Sequence, residues 1–380
     1  MTRKLYDENA YETKFEGKVL ECEKIKDQYR VLLDQTLFFP EEGGQSCDRG
    51  TLAGLTVSDV QIKDNEVYHF VDCPLEIGSL VKGEIDFSHR FSNMQLHSGE
   101  HIFSGLVYKT YGLNNVGFHL SDNRATIDVG GILTYEDVME LERRVNQIIV
   151  SNVEIKCSYP EKDELDKLMY RSKKELSGPI RIVEIPEVDI CACCAPHVKR
   201  TGEIGLFKVI NFENYKGGVR IYYLCGFRAL NDYELRISEL REISRLLSAK
   251  TYEEPKKVKE LFDELNQTKF ENVNLIYGRI ENEIKEEAKK GGKGIHVGSL
   301  EEAKYMRRTM DMLHNYYEGT CYLFCGNDEA GYRYLIENDN EDISYINKML
   351  KDELGAKGGG KPNSLQGSVS AKIDKILFCV

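Results

Sequence analysis

The stretch His97-Ser98-Gly99-Glu100-His101 lies inside a segment of helical periodicity that begins at Phe87 and ends near Gly112. Residues four apart project from the same face of a helix, so the two imidazoles can reach one metal ion. Much later in the chain, Cys191-Ala192-Cys193-Cys194-Ala195-Pro196-His197 places thiols and an imidazole close together. Three imidazoles and one thiolate suit tetrahedral Zn²⁺, and the candidate ligands are His97, His101, Cys193 and His197. The sequence therefore predicts that two distant segments meet around one metal ion.

Two alternatives to this interpretation stay open at the level of the sequence. Cys191 or Cys194 could replace Cys193 as the thiolate, because Cys191 and Cys193 share a face if their segment is a strand. The helical pair also fits the H-x-x-E-H signature of inverted zinc metalloproteases, in which Glu100 would be the general base beside a metal-bound water. The Cys-x-x-x-His segment counts against this protease chemistry, because a thiolate ligand makes zinc a weaker Lewis acid.

The patterns on either side of the helix divide the chain into four predicted domains. Short strand-like segments separated by turns fill residues 1–86 and predict a small β-barrel. Residues 87–227 mix helical and strand patterns and predict an α+β domain that carries the metal ligands. Apolar residues at helical spacing in 228–290 predict two long helices, either a packed linker or a coiled-coil arm that forms a homodimer. Residues 291–380 predict a small C-terminal α/β domain, so the predicted fold class is α+β.

Composition excludes several classes of protein. The 380 residues are 41% hydrophobic and 30% charged, which is a globular composition and not that of a disordered chain. Fifty-one basic against 63 acidic residues give a net charge of −12, so nucleic acid is expected to bind only at a local basic patch. Eleven cysteines, an odd number, favour a reducing compartment over a secreted disulfide framework. No apolar run has the length of a membrane span, and the sequence predicts a cytoplasmic protein without a membrane partner.

Two glycine-containing segments are candidates for ligand binding. Near the N-terminus, Gly43 and Gly44 allow close approach of the backbone, while Thr36 and Gln45 can present polar groups to a small ligand. Residues 355–362 form a predicted glycine-rich loop with Walker-like spacing. Pro362 stands where a Ser or Thr would hold Mg²⁺, which argues against an ATP-dependent enzyme. Backbone N–H groups and lysines of this loop could cradle a nucleic-acid phosphate, and a merely flexible loop is the alternative.

Taken together, these motifs resemble the editing region of alanyl-tRNA synthetase. Residues 36–45, with Asp48 and Gly50, resemble its glycine-rich motif, and residues 97–105 resemble its first metal motif. Residues 193–198 and 201–205 resemble the second metal motif. Residues 358–362, with Gln366 and Gly367, look like the signature of the C-terminal domain that the synthetase shares with DHH-type phosphoesterases. The motifs occur in the family's order with no aminoacylation domain recognisable before them, so the chain is identified as a member of the freestanding AlaX-type editing family, long form.

The resemblance implies a function and a set of site residues. It implies zinc-dependent hydrolysis of tRNA(Ala) that has been mischarged with serine or glycine. Mischarging occurs because the alanine pocket of the synthetase rejects these two amino acids poorly. Zn²⁺ would either orient the substrate or activate the attacking water. Thr36, Gln45 and Glu100 are the candidates for lining the catalytic pocket, and a structural role is open for each. The expected RNA-binding residues lie near the C-terminus and are Lys357, Gly358, Gly359, Gly360, Lys361 and Gln366.

The sequence also departs from the family's motifs at two places. Glu42 stands where a third glycine is usual, and Cys194-Ala195-Pro196 replaces small Gly and Thr residues. These departures are expected to change the shape of the amino-acid pocket more than the metal site. A non-catalytic RNA-binding protein stabilised by a metal is the remaining alternative function.

Overall fold

A seven-stranded antiparallel sheet forms the first part of the computed structural model, which describes residues 1–121, 125–172 and 179–380. Its region contains β1 (Arg3–Lys4), α1 (Leu5–Glu8), β2 (Lys14–Ile25), β3 (Gln28–Leu33), β4 (Gln35–Thr36), β5 (Gly50–Leu52), β6 (Leu55–Val57), β7 (Asp59–Lys63), β8 (Glu66–Val71) and β9 (Leu80–Ile85). The strand order is β6-β5-β9-β2-β3-β8-β7. The long strand β2 pairs with β9 through its first half and with β3 through its second half, so one strand serves two parts of the sheet. The sheet is therefore barrel-like and nearly closed around apolar side chains such as Val19, Val31 and Leu33.

Helix α2 (Phe87–Tyr111) follows this sheet and confirms the helix predicted from the first metal motif. Asp86 caps its N-terminus by accepting a hydrogen bond from the His89 backbone N–H at 3.2 Å. Gly112, in a left-handed conformation with φ of 68°, ends the helix. Residues 93–107 of this helix are all buried, so both imidazoles lie in the interior of the protein.

Two smaller sheets surround α2. Their region contains β10 (Asn115–Leu120), β11 (Ala125–Val129), α3 (Tyr135–Val150), β12 (Lys156–Ser158), α4 (Lys162–Leu165), β13 (Ile182–Ile185), β14 (Asp189–Ala192), a 3-10 turn (Thr201–Ile204), β15 (Phe207–Tyr215), β16 (Gly218–Cys225) and α5 (Gly226–Leu247). The strands form the sheets β10-β11-β16-β15 and β12-β13-β14. One apolar core joins both sheets to α2 and α3. This region mixes helices and sheets as the predicted α+β fold class requires.

A mixed five-stranded sheet organises the last part of the chain. The elements there are α6 (Glu254–Lys289), β17 (Ile295–Gly298), a 3-10 turn (Leu300–Lys304), α7 (Met306–His314), β18 (Thr320–Asn327), β19 (Gly331–Asn338), α8 (Ser344–Leu354), β20 (Lys357–Lys361), β21 (Ser364–Val369) and α9 (Ile373–Cys379). The strand order is β17-β18-β19-β21-β20. One face packs on α6 and α7 and the other on α8 and α9. The two long helices expected between residues 228 and 290 are α5 and α6, and Pro255 lies in the first turn of α6, where a missing backbone N–H costs little.

The glycine-rich segment is a strand, and the predicted loop over residues 357–361 is wrong. Lys357–Lys361 pairs with Ser364–Ser368 as an antiparallel hairpin at the edge of the sheet. The hairpin lies directly on the Tyr334 side chain, whose hydroxyl would be 2.2 Å from a Cβ at position 358 and 2.5 Å from one at position 367. Glycine is therefore needed at these positions for close packing, and not for mobility.

The chain divides into two compact units, Met1–Glu242 and Ile243–Val380, with the division inside α5. The finer division into four domains stays a prediction.

Across the described ranges, no helix combines the length and the apolar character that a membrane span needs.

Candidate functional site

Four side chains from two distant segments converge inside the first unit. His97 and His101 come from α2, whereas Cys193 and His197 come from the loop that follows β14. Their donor atoms all lie within 4.8 Å of one another, and the Cys193 Sγ is 3.5 Å from the Nε2 atoms of His97 and His197. Nitrogen and sulfur ligands at roughly 2.0 and 2.3 Å from a tetrahedral zinc ion are about 3.5 Å apart. The structure thus brings the four predicted ligands together at a separation that fits a metal ion.

Each imidazole in this cluster is oriented by a partner on its Nδ1 atom. The pairs are His97 with Gln45 Oε1 at 2.7 Å, His101 with Asp189 Oδ2 at 3.0 Å, and His197 with Ser98 Oγ at 3.1 Å. The amide and carboxylate oxygens only accept, so the Nδ1 atoms of His97 and His101 carry the proton and their Nε2 lone pairs are available to a metal. These partners make the donor set suitable for a metal ion.

The loop that carries Cys193 and His197 is fixed by hydrogen bonds from Arg181 to its backbone. This side chain is buried, and its Nη1 donates to the carbonyl oxygens of Cys193 at 3.0 Å and Ala195 at 2.8 Å. The Val198 backbone N–H in turn donates to the Ser98 hydroxyl on α2 at 3.3 Å. The loop is therefore fixed against the helix that supplies the other two ligands.

The surroundings of the cluster favour the metal-binding protonation state at Cys193 and His197, and the protonated state at His101. Burial lowers the pKa of His197 to about 3, which leaves this imidazole neutral near pH 7. Burial by itself raises the pKa of the Cys193 thiol, but the three imidazoles outweigh it and hold that pKa well below its ordinary value. Burial lowers the pKa of His101, but its hydrogen bonds to Asp189 and Cys193 outweigh burial and raise that pKa well above its ordinary value. A thiolate and neutral imidazoles are the forms that coordinate metal ions, so His101 must release a proton when a metal binds.

The structure distinguishes Cys193 from the two alternative cysteines. Burial raises the pKa of Cys191 to about 11 and raises that of Cys194 further, so both remain neutral thiols near pH 7. Cys193 is the cysteine that completes the group of four, whereas Cys191 belongs to a second group with His101 and Asp189. We therefore assign Cys193 as the candidate thiolate.

Two of the three predicted catalytic residues lie beside the cluster. Gln45 contacts His97, and its buried Nε2 has no hydrogen-bond partner in the part of the chain that the structure describes. Glu100 Oε2 is 3.9 Å from His101 Nε2, while its Oε1 accepts hydrogen bonds from Ser104 Oγ at 2.6 Å and from the Asn115 side-chain amide. Both side chains therefore lie next to candidate metal ligands, and their catalytic role stays a prediction.

Thr36, the third predicted catalytic residue, has a different environment. Its hydroxyl is 2.8 Å from His69 Nε2 and accepts a hydrogen bond from the Phe38 backbone N–H at 3.0 Å. Both partners belong to the region of the barrel-like sheet, and the side chain is fully buried. These contacts support a structural role, and a catalytic role of Thr36 stays a prediction.

The glycine turn next to Gln45 packs closely against another backbone segment, and its predicted approach to a ligand stays a prediction. Gly44 has a φ of 88°, and a Cβ at this position would lie 2.4 Å from the Phe118 carbonyl oxygen. The Phe118 ring is in turn 4.6 Å from the His97 ring, measured between centroids. The turn therefore lies against a side chain that covers the cluster.

Several residues of this site were missed at the level of the sequence. Ser98, Asn115 and Asp189 contact the ligands or the Glu100 carboxylate, yet none of them was predicted as a site residue. Ser98 lies inside the first metal motif, and the period of two along β14 puts Asp189 on the same face as Cys191, whereas Asn115 had no signal in the sequence. A cavity of about 900 Å³ has Asn115, Asp189 and Cys191 in its wall.

Three of the six predicted RNA-binding residues present their side chains on one face of the C-terminal hairpin. Lys357, Gly359 and Lys361 alternate with Gly358 and Gly360 along β20, and Gln366 on β21 pairs with Gly359. Because side chains alternate along a strand, Lys357, Lys361 and Gln366 point to the same side, and all three are exposed. We call Lys357, Lys361 and Gln366 the basic strand face.

Comparison with known proteins gives two family matches. Residues 180–222 match the "Threonyl and Alanyl tRNA synthetase second additional domain", which includes the Cys193–His197 loop. Residues 5–89 match "tRNA synthetases class II (A)".

Individual relatives cover nearly the whole chain. The "Alanyl-tRNA editing protein AlaX-L" of Pyrococcus horikoshii is 31% identical over 99% of this chain and 97% of its own length. The "Alanyl-tRNA editing protein Aarsd1" of Mus musculus is 26% identical over 91% of this chain and 86% of its own length. The "Alanine--tRNA ligase" of Methanococcus vannielii is 28% identical over 99% of this chain, which spans only 43% of that enzyme. Since the likeness to AlaX-L covers nearly the whole length of both proteins, the chain belongs to the family of alanyl-tRNA editing proteins.

Proposed function

We propose that this protein hydrolyses the aminoacyl ester of mischarged tRNA(Ala), chiefly Ser-tRNA(Ala) and also Gly-tRNA(Ala), at the His97–His101–Cys193–His197 cluster. As a member of its family the chain is an aminoacyl-tRNA deacylase. The observation that carries the assignment to this site is the convergence of the four donor atoms, with imidazoles oriented by Gln45, Asp189 and Ser98. Ester hydrolysis requires no ATP, and a cytoplasmic location, where tRNA is available, is part of the proposal.

The proposed cofactor is Zn²⁺, for which three nitrogen donors and one sulfur donor are well suited. A bound zinc ion would provide a fixed point for orienting the ester, and it would act as a Lewis acid on the ester or on a water molecule if one of the four ligands vacated its position. The unpartnered Nε2 of Gln45 is positioned to donate a hydrogen bond to a polar acceptor of the aminoacyl group. The Glu100 carboxylate, held by Ser104 and Asn115, is positioned to accept a proton from a nearby water.

A hydrolase of this kind is useful for a physical reason. An alanine pocket cannot strongly reject glycine, which is smaller, or serine, which adds one hydroxyl, so a second hydrolytic site must discriminate. The ester bond to tRNA is already activated, so catalysis requires positioning of the ester and the water more than a strong nucleophile. A buried cluster of fixed side chains supplies such positioning.

Removal of the metal provides the direct test of this function. We expect the purified protein to deacylate Ser-tRNA(Ala) much faster than Ala-tRNA(Ala), and a chelator to lower the rate by at least about tenfold, since loss of the ion removes the fixed point that holds the four ligands and orients the substrate. Addition of Zn²⁺ should restore the rate. The measurement is the release of the labelled amino acid from each tRNA.

Two other outcomes of the same experiment would contradict the proposal. Cleavage of peptides without deacylation would favour the inverted metalloprotease. Zinc binding without any hydrolysis would favour a non-catalytic RNA-binding protein.

We further propose that the basic strand face contacts the phosphate backbone of the tRNA. Lys357 and Lys361 are exposed on the same side of an edge strand, and the glycines between them keep the backbone open to a ligand. Such contacts recognise the shape and charge of RNA more than its sequence. Formation of a homodimer through the long helices or through the C-terminal domain of residues 291–380 stays a prediction.

Replacing Lys357 and Lys361 together by alanine is expected to raise the KM for tRNA and to leave kcat nearly unchanged. The slope of log KM against log salt concentration should fall by about one for each phosphate group that the variant no longer neutralises. The matched control replaces Lys289 and Lys290, which are paired with Glu286 and Glu287 on α6. An unchanged salt slope in the Lys357/Lys361 variant would contradict the proposed RNA-binding role of this face.

A further inference from the structure

The carboxylate of Asp189 is held from two sides. Its Oδ2 accepts from His101 Nδ1 at 3.0 Å. On the other side, Arg171 donates from Nε to Oδ1 at 2.7 Å and from Nη2 to Oδ2 at 2.8 Å. The side chain of Asp189 is 2% exposed and that of Arg171 is 12% exposed. A bidentate guanidinium–carboxylate pair fixes the plane of the carboxylate as well as its position.

The backbone of Arg171 is fixed beside the same strand. Its N–H donates to the Ile190 carbonyl oxygen at 2.8 Å, and its carbonyl oxygen accepts from the Ala192 N–H at 2.9 Å. Arg171 thus forms a parallel bridge with Cys191 on β14, the strand that leads into the metal-binding loop. The guanidinium is therefore anchored through main chain and side chain together.

This arrangement explains the second group of potential metal ligands, which contains His101, Asp189 and Cys191. Arg171 already engages both carboxylate oxygens of Asp189, so a cation is in place where a metal ion would have to bind. Asp189 still accepts the hydrogen bond from His101 Nδ1. This bond orients the His101 ring so that its Nε2 points toward the other three ligands of the cluster.

We propose that Arg171 is a positioning residue of the metal centre, which acts through Asp189 to hold the His101 imidazole in its metal-binding orientation. The proposal rests on the metal site of the proposed function. Without the guanidinium, the carboxylate is free to rotate about its side-chain bonds, and the imidazole loses a fixed partner. Groups that hydrogen-bond to a histidine ligand fix its orientation, and their loss lowers the affinity for the metal.

The test measures binding of Co²⁺ alone, by competition with a chromophoric chelator and by the absorption bands of the cobalt–thiolate site. Arg171→Ala is expected to raise the Kd for Co²⁺ by about tenfold, and Asp189→Asn by about 10- to 100-fold. Because Arg171 acts through Asp189, the double variant should match Asp189→Asn within about twofold. Arg171→Lys, which keeps the charge but loses the bidentate geometry, should fall between wild type and Arg171→Ala.

Lys109→Ala is the matched control. Lys109 lines the same cavity as Arg171, but its ammonium group donates to the Glu187 carbonyl oxygen at 2.8 Å and not to Asp189. Its Kd for Co²⁺ should equal that of the wild type. Circular dichroism of each metal-free variant shows that it is folded before binding is measured, and Arg171→Lys serves as the test if Arg171→Ala does not fold.

Two results would overturn the inference while the metal site stands. One is a wild-type Kd in the folded Arg171 variants, and the other is an additive loss of affinity in the double variant. A wild-type protein that binds no Co²⁺, or a His97→Ala variant that binds it equally well, would instead overturn the metal centre of the proposed function and this inference with it.

Discussion

Replacement of His97 by alanine is expected to abolish tight metal binding and to lower kcat/KM for Ser-tRNA(Ala) by more than about 100-fold. Loss of an outer partner of a ligand alone costs roughly 10- to 100-fold, and a missing ligand leaves a larger defect. His97 is 3% exposed, and its Nε2 is 3.5 Å from the Cys193 Sγ, so the substitution removes one of four closely spaced donor atoms. Metal content by elemental analysis and deacylation kinetics provide the two measurements.

His119→Ala is the matched control for this experiment. His119 is an exposed histidine on β10 of the same unit and is paired through its backbone with Thr126. Its replacement should change neither the metal content nor kcat/KM. If His97→Ala lost its metal and still deacylated Ser-tRNA(Ala) at the full rate, the metal would have no part in the reaction.

Replacement of Asp48 by alanine is expected to lower the free energy of unfolding by about 3–5 kcal/mol, because it leaves a buried arginine without its counter-charge. Arg90 is 0% and Asp48 1% exposed, and the two form a close ion pair between α2 and the loop that contains Gln45. Arg90 also donates to the Leu37 carbonyl oxygen at 2.6 Å, and Asp48 accepts from the Phe39 backbone N–H at 2.6 Å. Urea unfolding followed by circular dichroism measures the change.

The control for this prediction is an ion pair on the surface. Glu140 and Arg143 on α3 form a pair in which both side chains are about half exposed, and Glu140→Ala should leave the unfolding transition unchanged. A loss of less than about 1 kcal/mol in Asp48→Ala would mean that water reaches and solvates Arg90, contrary to its burial. The pair would then contribute little to the link between the helix and the glycine turn.

Local patterns in the sequence were sufficient to predict helix α2 and the family of the protein. The spacing of His97 and His101 predicted a helix with both rings on one face, and the helix is present, because this periodicity depends only on neighbouring turns. The family likewise followed from the order of short motifs. The glycine-rich segment was predicted incorrectly, since its strand depends on pairing with Ser364–Ser368 and on packing over Tyr334, neither of which is encoded within the segment itself.

The amino-acid sequence by itself determined which residue types are available to a metal, the helix that presents two of them, and the family of the protein. Only the tertiary structure decided which of three nearby cysteines joins the cluster and which side chains orient the imidazoles. Gln45, Asp189 and Ser98 come from three different parts of the chain, and their contacts exist only because the sheet, the helix and the loop pack together. Hydrogen bonds depend on distance and direction in space, and spacing along a chain specifies these only within one helix or strand.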